Sequence, residues 1–191
     1  MRSKAYGKMN WALAVYNKRA DGYHEIDSIM QKISLADEVT LRDTEGPMLL
    51  RLSGSTADGV PADEKNLAWR AAARYREEAN LDVSWEIEIE KEIPHGAGMG
   101  GASADAAAIL SLLEGRYACL GHENLFALAA SLGADIPFLL SQWPAARCEG
   151  VGEKITPFSV KKPLPLLLVM GEQRVSTVAA YAGVKPRDQQ S

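Results

Sequence analysis

Ten residues near the middle of the chain, 94–103, contain four glycines between a strand-like segment and an apolar, helix-like segment. The glycines are Gly96, Gly98, Gly100 and Gly101. Glycine backbones let neighbouring N–H groups turn towards one anion, and the start of the next helix adds unpaired N–H donors and a positive dipole end. A plain strand-to-helix turn needs only one or two glycines. The cluster therefore favours a loop that cradles a phosphate.

Two familiar phosphate-binding loops can be compared with this cluster. A Walker A loop requires Gly-Lys-Ser/Thr after its glycines, and this sequence does not have it. The spacing Gly96-x-Gly98-x-x-Gly101 satisfies the dinucleotide fingerprint, but that fingerprint follows a strand buried on both faces. Residues 84–93 instead alternate apolar and charged side chains, and no acidic residue ends a second strand about 20 residues further on. Neither class of loop fits.

The hydroxyl of Ser103 falls in the first turn of the helix that follows the glycines. In that position it can cap the helix or coordinate a Mg²⁺ ion bound to a phosphate. Its placement alone leaves both roles open.

The first 53 residues predict a meander of antiparallel strands. Trp11, Leu13 and Val15 alternate with other side chains, which predicts a strand over 9–20 with these three on a buried face. A second strand follows and ends at the polar segment 36–38. Two shorter strands complete the meander.

The sequence after residue 53 predicts helices as well as strands. Helices are expected over 64–79, 103–113 and 123–132, and a strand with one solvated face over 84–93. Residues 135–170 predict short strands interrupted by prolines. The fold expected is therefore α+β, a mostly antiparallel sheet with helices packed on one side.

Composition narrows the possible functions. The 191 residues are 47% hydrophobic and 24% charged, with a formal net charge of −4, which is typical of a globular protein and unlike a nucleic-acid-binding one. Cys119 and Cys148 match no metal-site spacing, and both are expected to be core thiols in a reducing compartment. No apolar run approaches about 18 residues and no signal peptide is apparent, so a cytoplasmic protein without a membrane partner is expected.

Residues 94–107, Pro-His-Gly-Ala-Gly-Met-Gly-Gly-Ala-Ser-Ala-Asp-Ala-Ala, resemble the ATP-binding motif of the GHMP kinases, a superfamily of small-molecule kinases. Further blocks in family order, within about residues 5–170, resemble the branch of this superfamily that acts on 4-diphosphocytidyl-2-C-methyl-D-erythritol. These blocks are residues 7–10, 18–25, 63–72, 132–138 and 149–157.

The resemblance implies an ATP-dependent kinase of non-mevalonate isoprenoid precursor biosynthesis. Such a kinase transfers the γ-phosphoryl group of ATP, with Mg²⁺, to the 2-hydroxyl of the methylerythritol part of a CDP-linked substrate. Two other functions stay open, a catalytically silent ATP-binding module and a GHMP kinase for another small alcohol.

The resemblance also implies roles for individual residues. Asp135 would be the general base and Lys8 would stabilise the developing charge. Asn10, Tyr23 and His24 would bind the substrate, the last two at its cytosine ring. The ATP site would comprise Pro94, His95, Gly96, Ala97, Gly98, Met99, Gly100, Gly101, Ala102, Ser103 and Ala104, and Ser103 would contact the nucleotide-bound Mg²⁺.

Taken without the resemblance, the same residues have ordinary interpretations. Asp135 would form a turn, Lys8 would be solvated, and Tyr23 and His24 would end a hairpin. Lys91, at the end of a strand with charged side chains, could approach the nucleotide phosphates, but it is expected to be one of that strand's solvent-facing charges.

The chain departs from the family pattern in two respects. Ala102 and Ala104 stand where the family usually has a third consecutive glycine and a second serine, and a methyl group at 102 is tolerable if φ is negative there. Members of the family also continue for about another hundred residues, a typical domain size. We therefore expect an ATP-binding GHMP kinase N-terminal domain over 1–158 and the beginning of a truncated C-terminal domain over 159–191. A first strand near 165–170 would expose an unpaired edge, which predicts a homodimer or aggregation.

Overall fold

The computed structural model describes residues 1–18, 24–162 and 164–169. Within these ranges the chain forms one six-stranded sheet and four helices. In chain order the elements are β1 (Arg2–Lys18), β2 (His24–Thr44), β3 (Leu49–Ser53), α1 (Leu67–Glu78), β4 (Ser84–Glu90), α2 (Gly101–Tyr117), α3 (Gly121–Leu132), α4 (Ile136–Leu140), β5 (Ala145–Gly150) and β6 (Lys154–Pro157).

Strand β2, 21 residues long, is the centre of the sheet. β1 runs antiparallel along one of its edges. β4 and β5 both run antiparallel along the other edge, β4 beside residues 38–44 and β5 beside residues 26–31. β4 and β5 therefore lie end to end, and residues 32–37 of β2 face the gap between them. At the margins of the sheet, β3 is parallel to β4 and β6 is antiparallel to β5.

The hydrophobic core lies between the sheet and the helices. In β4 the side chains of Trp85, Ile87 and Ile89 are buried, while the glutamates between them are partly exposed, as the alternating sequence predicts. Helix α2 packs against α1, α4, β1 and β2, so its Ala-, Ile- and Leu-rich surface is buried over most of its circumference. The α+β prediction is confirmed, and four of the five strand pairings are antiparallel.

Helix α1 follows from its sequence in detail. The side-chain oxygen of Asn66 accepts a hydrogen bond of 2.9 Å from the N–H of Ala68, which caps the helix at its start. Ala71, Ala72 and Tyr75 then recur on the buried face at helical spacing.

Three expectations for the first strands are wrong. β2 continues through the predicted polar break at 36–38, because Asp37 is buried and bonded to main-chain N–H groups. β3 pairs with β4 instead of continuing a meander. Trp11 and Leu13 are exposed, since the register of β1 shifts between Asn10 and Ala12 and turns the following side chains over.

The prediction for residues 135–170 is also partly wrong. Residues 136–140 form the short helix α4, with Pro137 in its first turn, where a missing N–H costs little. Residues 164–169 form no strand and expose apolar side chains, so the predicted unpaired edge is not present there; Met170 lies outside the described residues. Of the two cysteines, Cys148 is buried as expected but Cys119 is exposed.

The proposed domain boundary at residue 158 follows the end of β6 at Pro157 and stays a prediction. In the described part of the chain, every helix is too short or too polar to cross a membrane.

Candidate active site

Three glycines of the loop between β4 and α2 have backbone conformations that other residues rarely adopt. The φ angle is 74° at Gly96, 74° at Gly98 and 69° at Gly100. The residues between them have negative φ, and this alternation lets successive N–H groups point to the same side, as in the nests that bind anions. Residues 95–98 are exposed, so the N–H groups of this part of the loop are open to a ligand.

A bulge in β1 brings the first strand to the end of this loop. The register of β1 on β2 shifts between Tyr6 and Lys8, and the main-chain N–H of Lys8 donates to the carbonyl oxygen of Met99 at 2.9 Å. Gly7 lies in the bulge, where a Cβ would stand 3.3 Å from that same oxygen. The absence of a side chain at Gly7 therefore allows the strand and the loop to approach.

The side chain of Lys8 is only 9% exposed and lies among polar groups. Its Nζ donates to Oδ1 of Asn10 at 2.9 Å and lies 3.4 Å from Oδ2 of Asp135. The amide nitrogen of Asn10 donates to Oγ of Ser28 at 2.6 Å, and Ser28 donates to the carbonyl oxygen of Ala12 at 2.8 Å. This chain of hydrogen bonds fixes the amide oxygen of Asn10 towards the ammonium group.

Asp135 occupies the position just before α4, but its side chain forms no capping hydrogen bond with that helix. The carboxylate is 27% exposed, so one side contacts Lys8 and the other is open to solvent. A Cβ added at Gly100 would stand 3.2 Å from Cε of Lys8 and 3.5 Å from Oδ2 of Asp135. The end of the glycine loop, the ammonium and the carboxylate therefore meet at one point.

The buried thiol of Cys148 lies near Lys8 and Asp135 but carries no charge at neutral pH. Burial, together with the negative charge of Asp135, raises the pKa of Cys148 to about 12, and the charge of Lys8 opposes the shift. The thiol therefore stays protonated at neutral pH and is a poor nucleophile.

Comparison with known proteins identifies the fold. Residues 66–142 match the family model described as the GHMP kinases N terminal domain. Over these residues the chain is thus similar to the N-terminal domain of the GHMP kinases. A mevalonate kinase of Methanococcus jannaschii, 14% identical with a TM-score of 0.60 over 84% of this chain and 56% of that one, shares the fold.

Curated relatives are similar over nearly the whole chain. The 4-diphosphocytidyl-2-C-methyl-D-erythritol kinase of Chlorobium phaeobacteroides (strain BS1) is 37% identical over 96% of this chain and 63% of its own length. That of Caldicellulosiruptor bescii is 38% identical over 95% and 63%, respectively. A crystal structure of 4-(cytidine 5'-diphospho)-2C-methyl-D-erythritol kinase superimposes with a TM-score of 0.79 at 38% identity, over 97% of this chain and 65% of that one. This chain thus spans just under two thirds of the length of these relatives.

The remaining residues of the glycine loop lie around the start of α2. Pro94 is half-buried and Met99 buried, whereas His95 and Ala97 are exposed. Ala102 lies within the helix with negative φ, so the methyl group in place of glycine causes no backbone strain.

Ser103 is half-buried in the first turn of α2, and Ala104 behind it is buried. The residue that caps this helix is Gly100, and no side chain bonds to the cap, so the capping role considered for Ser103 is wrong.

Of the two residues expected at the cytosine ring, His24 is among the described residues. His24 is half-buried at the start of β2 and pairs with Lys18, whereas Tyr23 lies outside the described residues. His24 and Ser28 are four residues apart and share one face of β2, which separates them by about 13 Å at the usual rise of a strand. The structure therefore does not bring His24 into the cluster around Lys8.

The environment of Lys91 differs from the one that the sequence predicts. It is 3% exposed, and its Nζ contacts carboxylate oxygens of Asp37 and Asp105, which are themselves buried. The expected solvent-facing charge is therefore wrong. No role for Asp37, Asp105 or Ser28 follows from the sequence pattern alone. Asp105 stands among alanines in an apolar helix, a signal that could have marked it for burial beside a partner, whereas Asp37 and Ser28 have charged neighbours and carry no such signal.

Proposed function

We propose that this chain carries the nucleotide site and the catalytic pair of an ATP-dependent kinase that phosphorylates the 2-hydroxyl of 4-diphosphocytidyl-2-C-methyl-D-erythritol. The observation that carries the proposal is the meeting of Lys8, Asp135 and Gly100 at the end of the glycine loop. The names of the relatives support the choice of substrate, and the length of chain that they share with this one supports the comparison.

The proposed reaction needs two charged groups in the positions that Lys8 and Asp135 occupy. The substrate hydroxyl oxygen attacks the γ-phosphorus while its proton passes to the carboxylate of Asp135, and the bond from that phosphorus to the β,γ-bridging oxygen breaks, releasing ADP. The ammonium of Lys8 stabilises the negative charge on the transferred group and keeps the carboxylate oriented. The amide oxygen of Asn10 holds the ammonium in place, and the same amide group is proposed to form a hydrogen bond with the substrate.

The phosphates of ATP are proposed to lie on the N–H groups of residues 94–104. The alternating positive φ angles and the start of α2 supply donors and a positive dipole end for this purpose. Among the described residues, no three His, Cys, Asp or Glu side chains form a metal site of their own. Mg²⁺ commonly binds through substrate phosphates, one or two protein oxygens and water, and the hydroxyl of Ser103 stands where it fits such a role.

Recognition of the cytidine part is proposed for the start of β2. The distance of about 13 Å between His24 and Ser28 suits a substrate whose base and reacting hydroxyl are separated by a diphosphate. His24 would bond to the edge of the base, and Tyr23 would supply a stacking surface.

We further propose that the protein is cytoplasmic, where ATP and nucleotide-linked intermediates are available. We keep the homodimer as a proposal on a different basis: residues 164–169 form no strand edge, but Leu167 and Val169 in this segment are 89% and 84% exposed and could form an apolar contact. Size-exclusion chromatography over a range of concentrations tests it, and a monomer at every concentration would contradict it.

The decisive experiment is turnover of the CDP-linked acceptor with ATP and Mg²⁺, followed by mass spectrometry of the product. Asp135→Asn should lower kcat by about 100-fold or more with little change in ATP affinity, since it removes the base but keeps the shape. Asp58→Asn, an exposed loop aspartate, is the matched control and should have wild-type activity. Undiminished transfer by Asp135→Asn would refute the general-base role.

A second candidate function is an ATP-binding module that does not catalyse transfer. It is favoured by one observation, that the features proposed to bind phosphate, the positive φ angles of the loop and the start of α2, need no acceptor site. ATP binding by the wild-type chain without transfer to any alcohol would support this function and contradict the kinase.

A further inference from the structure

Behind the glycine loop lies a buried cluster of three charged side chains, Lys91, Asp37 and Asp105. Their exposed fractions are 3%, 0% and 2%. Nζ of Lys91 donates to Oδ2 of Asp105 at 2.5 Å and also to Oδ2 of Asp37. Burying charges is costly, and replacing a buried ion pair by apolar side chains is often neutral or stabilising. Stability alone is therefore a weak reason for this cluster.

The three side chains come from the two ends of the loop and from the strand beside it. Lys91 stands just before the loop, at the end of β4, and Asp105 stands just after it, in the second turn of α2. Asp37 of β2 accepts hydrogen bonds from the N–H groups of Glu92 and Ile93, at 2.6 and 2.8 Å. One ammonium group thus joins the residues that enter and leave the loop.

The end of the loop is closely packed, in addition to being held by charged groups. A Cβ added at Gly101 would stand 3.0 Å from Cγ2 of Ile93 and 3.7 Å from Oδ2 of Asp37. The first residue of α2 therefore rests directly on the residue that Asp37 fixes. A change in the distance between Lys91 and Asp105 must change the spacing of the loop ends.

The cluster contains one positive charge and two carboxyl groups. Oδ1 of Asp105 is buried and has no hydrogen-bond partner among the described residues. The pKa of Asp105 is raised to about 8, mainly by burial; Lys91 opposes the shift and Asp37 contributes to it. The raised pKa favours the protonated form of Asp105, which reduces the negative charge behind the loop that is proposed to bind phosphate.

We propose that Lys91 and Asp105 are positioning residues that hold the two ends of the glycine loop at the spacing needed to bind nucleotide phosphates. The nucleotide part of this inference rests on the proposed function. The effect on the loop itself is independent of it, because the contacts are internal to the chain.

The test combines ATP titration in the presence of Mg²⁺ with amide hydrogen exchange of residues 94–100. Lys91→Met should weaken ATP binding by about tenfold or more and accelerate exchange in the loop, because small displacements of binding groups have large effects. Amides of α1 should keep their protection. Lys91→Arg, which keeps the charge, should restore most of the affinity.

Two aspartate variants provide a second comparison that keeps Lys91 paired with Asp37. Asp105→Ala removes the bridge to α2 and should behave as Lys91→Met does. Asp105→Asn keeps an acceptor for the ammonium and should bind ATP as the wild type does at pH 7. If Lys91→Met does not fold, this pair decides the question.

The matched control is Arg51→Met, which removes an exposed ion pair of 2.7 Å to Glu86 on the other face of β4. It should alter neither ATP affinity nor loop exchange. The inference is overturned if folded Lys91→Met, or Asp105→Ala, leaves both measurements at the wild-type values. A wild-type chain that binds no ATP would refute the proposed function and the nucleotide part of this inference, while hydrogen exchange would still decide whether the cluster holds the loop.

Discussion

Gly100 shows how one position without a side chain shapes the candidate site. Its φ of 69° is unfavourable for any residue with a Cβ, and a Cβ there would stand 3.2 Å from Lys8. Lys8 in turn lies between Asn10 and Asp135. The position of the ammonium group therefore depends on the absence of a methyl group on the loop.

The first prediction at this scale concerns Gly100→Ala. It should destabilise the protein by about 1 kcal/mol through the left-handed backbone and displace Lys8, so kinase turnover should fall more than ATP affinity. Gly115→Ala is the control, because Gly115 lies in α2 with open space around its Cβ position. This control should stabilise the protein by about 0.5–1 kcal/mol. Urea unfolding and steady-state kinetics measure both effects; equal behaviour of the two variants would contradict the prediction.

The second residue-scale prediction concerns pH. The pKa of Asp105 is raised to about 8 in the folded protein, from an ordinary value of 3.8. Between these two values the folded state binds a proton that the unfolded state has lost, so the contribution of Asp105 to stability falls as pH rises from about 4 to about 8 and is level above that.

Asp105→Asn removes this titration and provides the measurement. The free energy of unfolding of the wild type minus that of Asp105→Asn should decrease across this pH range by more than about 1.4 kcal/mol, the equivalent of one pKa unit. Denaturant unfolding of both proteins at matched pH values gives the difference. A difference that is constant with pH, or that increases, would show that Asp105 ionises normally.

Among the elements, helix α1 can be predicted from its local sequence alone. Asn66 caps the helix through Ala68, and its amide nitrogen donates to the carbonyl oxygen of Pro61 at 2.8 Å. The capping residue and the buried residues all lie within a segment of about 15 residues, so this helix could be predicted from the sequence.

Asn66→Ala should therefore cost about 1 kcal/mol of stability, because it leaves an N–H of the first turn and the Pro61 carbonyl without partners. Asn124→Ala removes an exposed asparagine of α3 that donates only to the carbonyl oxygen of Leu120. That control should stay within about 0.5 kcal/mol of the wild type. Thermal unfolding of the two variants side by side is the measurement, and similar losses in both would rule out a special role for the cap.

Local signals fail where the deciding contacts are distant in sequence. The burial of Lys91 depends on Asp37, 54 residues away, which no spacing rule connects. Trp11 and Leu13 are alternating and apolar, yet the register shift in β1 places them on the exposed face. The pair Lys8 and Asp135 was suggested by resemblance to a family and not by its local pattern, since each has an ordinary interpretation by itself. The glycine loop was predicted because its conformational requirement is local.

At the scale of the whole molecule, one cysteine thiol lies at the surface and the other in the core, so their reactivities report on the two regions separately. Cys119 is exposed, whereas Cys148 is buried with a pKa raised to about 12. One thiol should react rapidly with a chromogenic disulfide at pH 8, and the second only at the rate of global unfolding. Cys119→Ser should abolish the fast phase alone. A fast reaction of both thiols in the folded protein would show that the sheet opens locally at β5.

The end-to-end arrangement of β4 and β5 on β2 also bears on the order in which the chain assembles during synthesis. One edge of β2 at residues 26–31 has no partner until residues 145–150 have left the ribosome. The Asp27–Arg147 ion pair, which joins residues 120 positions apart, must form equally late. Helix α4, which begins directly after Asp135 and precedes β5 in the chain, packs mainly against α2 and α3. Lys8 leaves the ribosome long before Asp135, so their ion pair forms late in the synthesis of the described residues. A chaperone that covers the open edge of β2 would therefore act before this part of the site is complete.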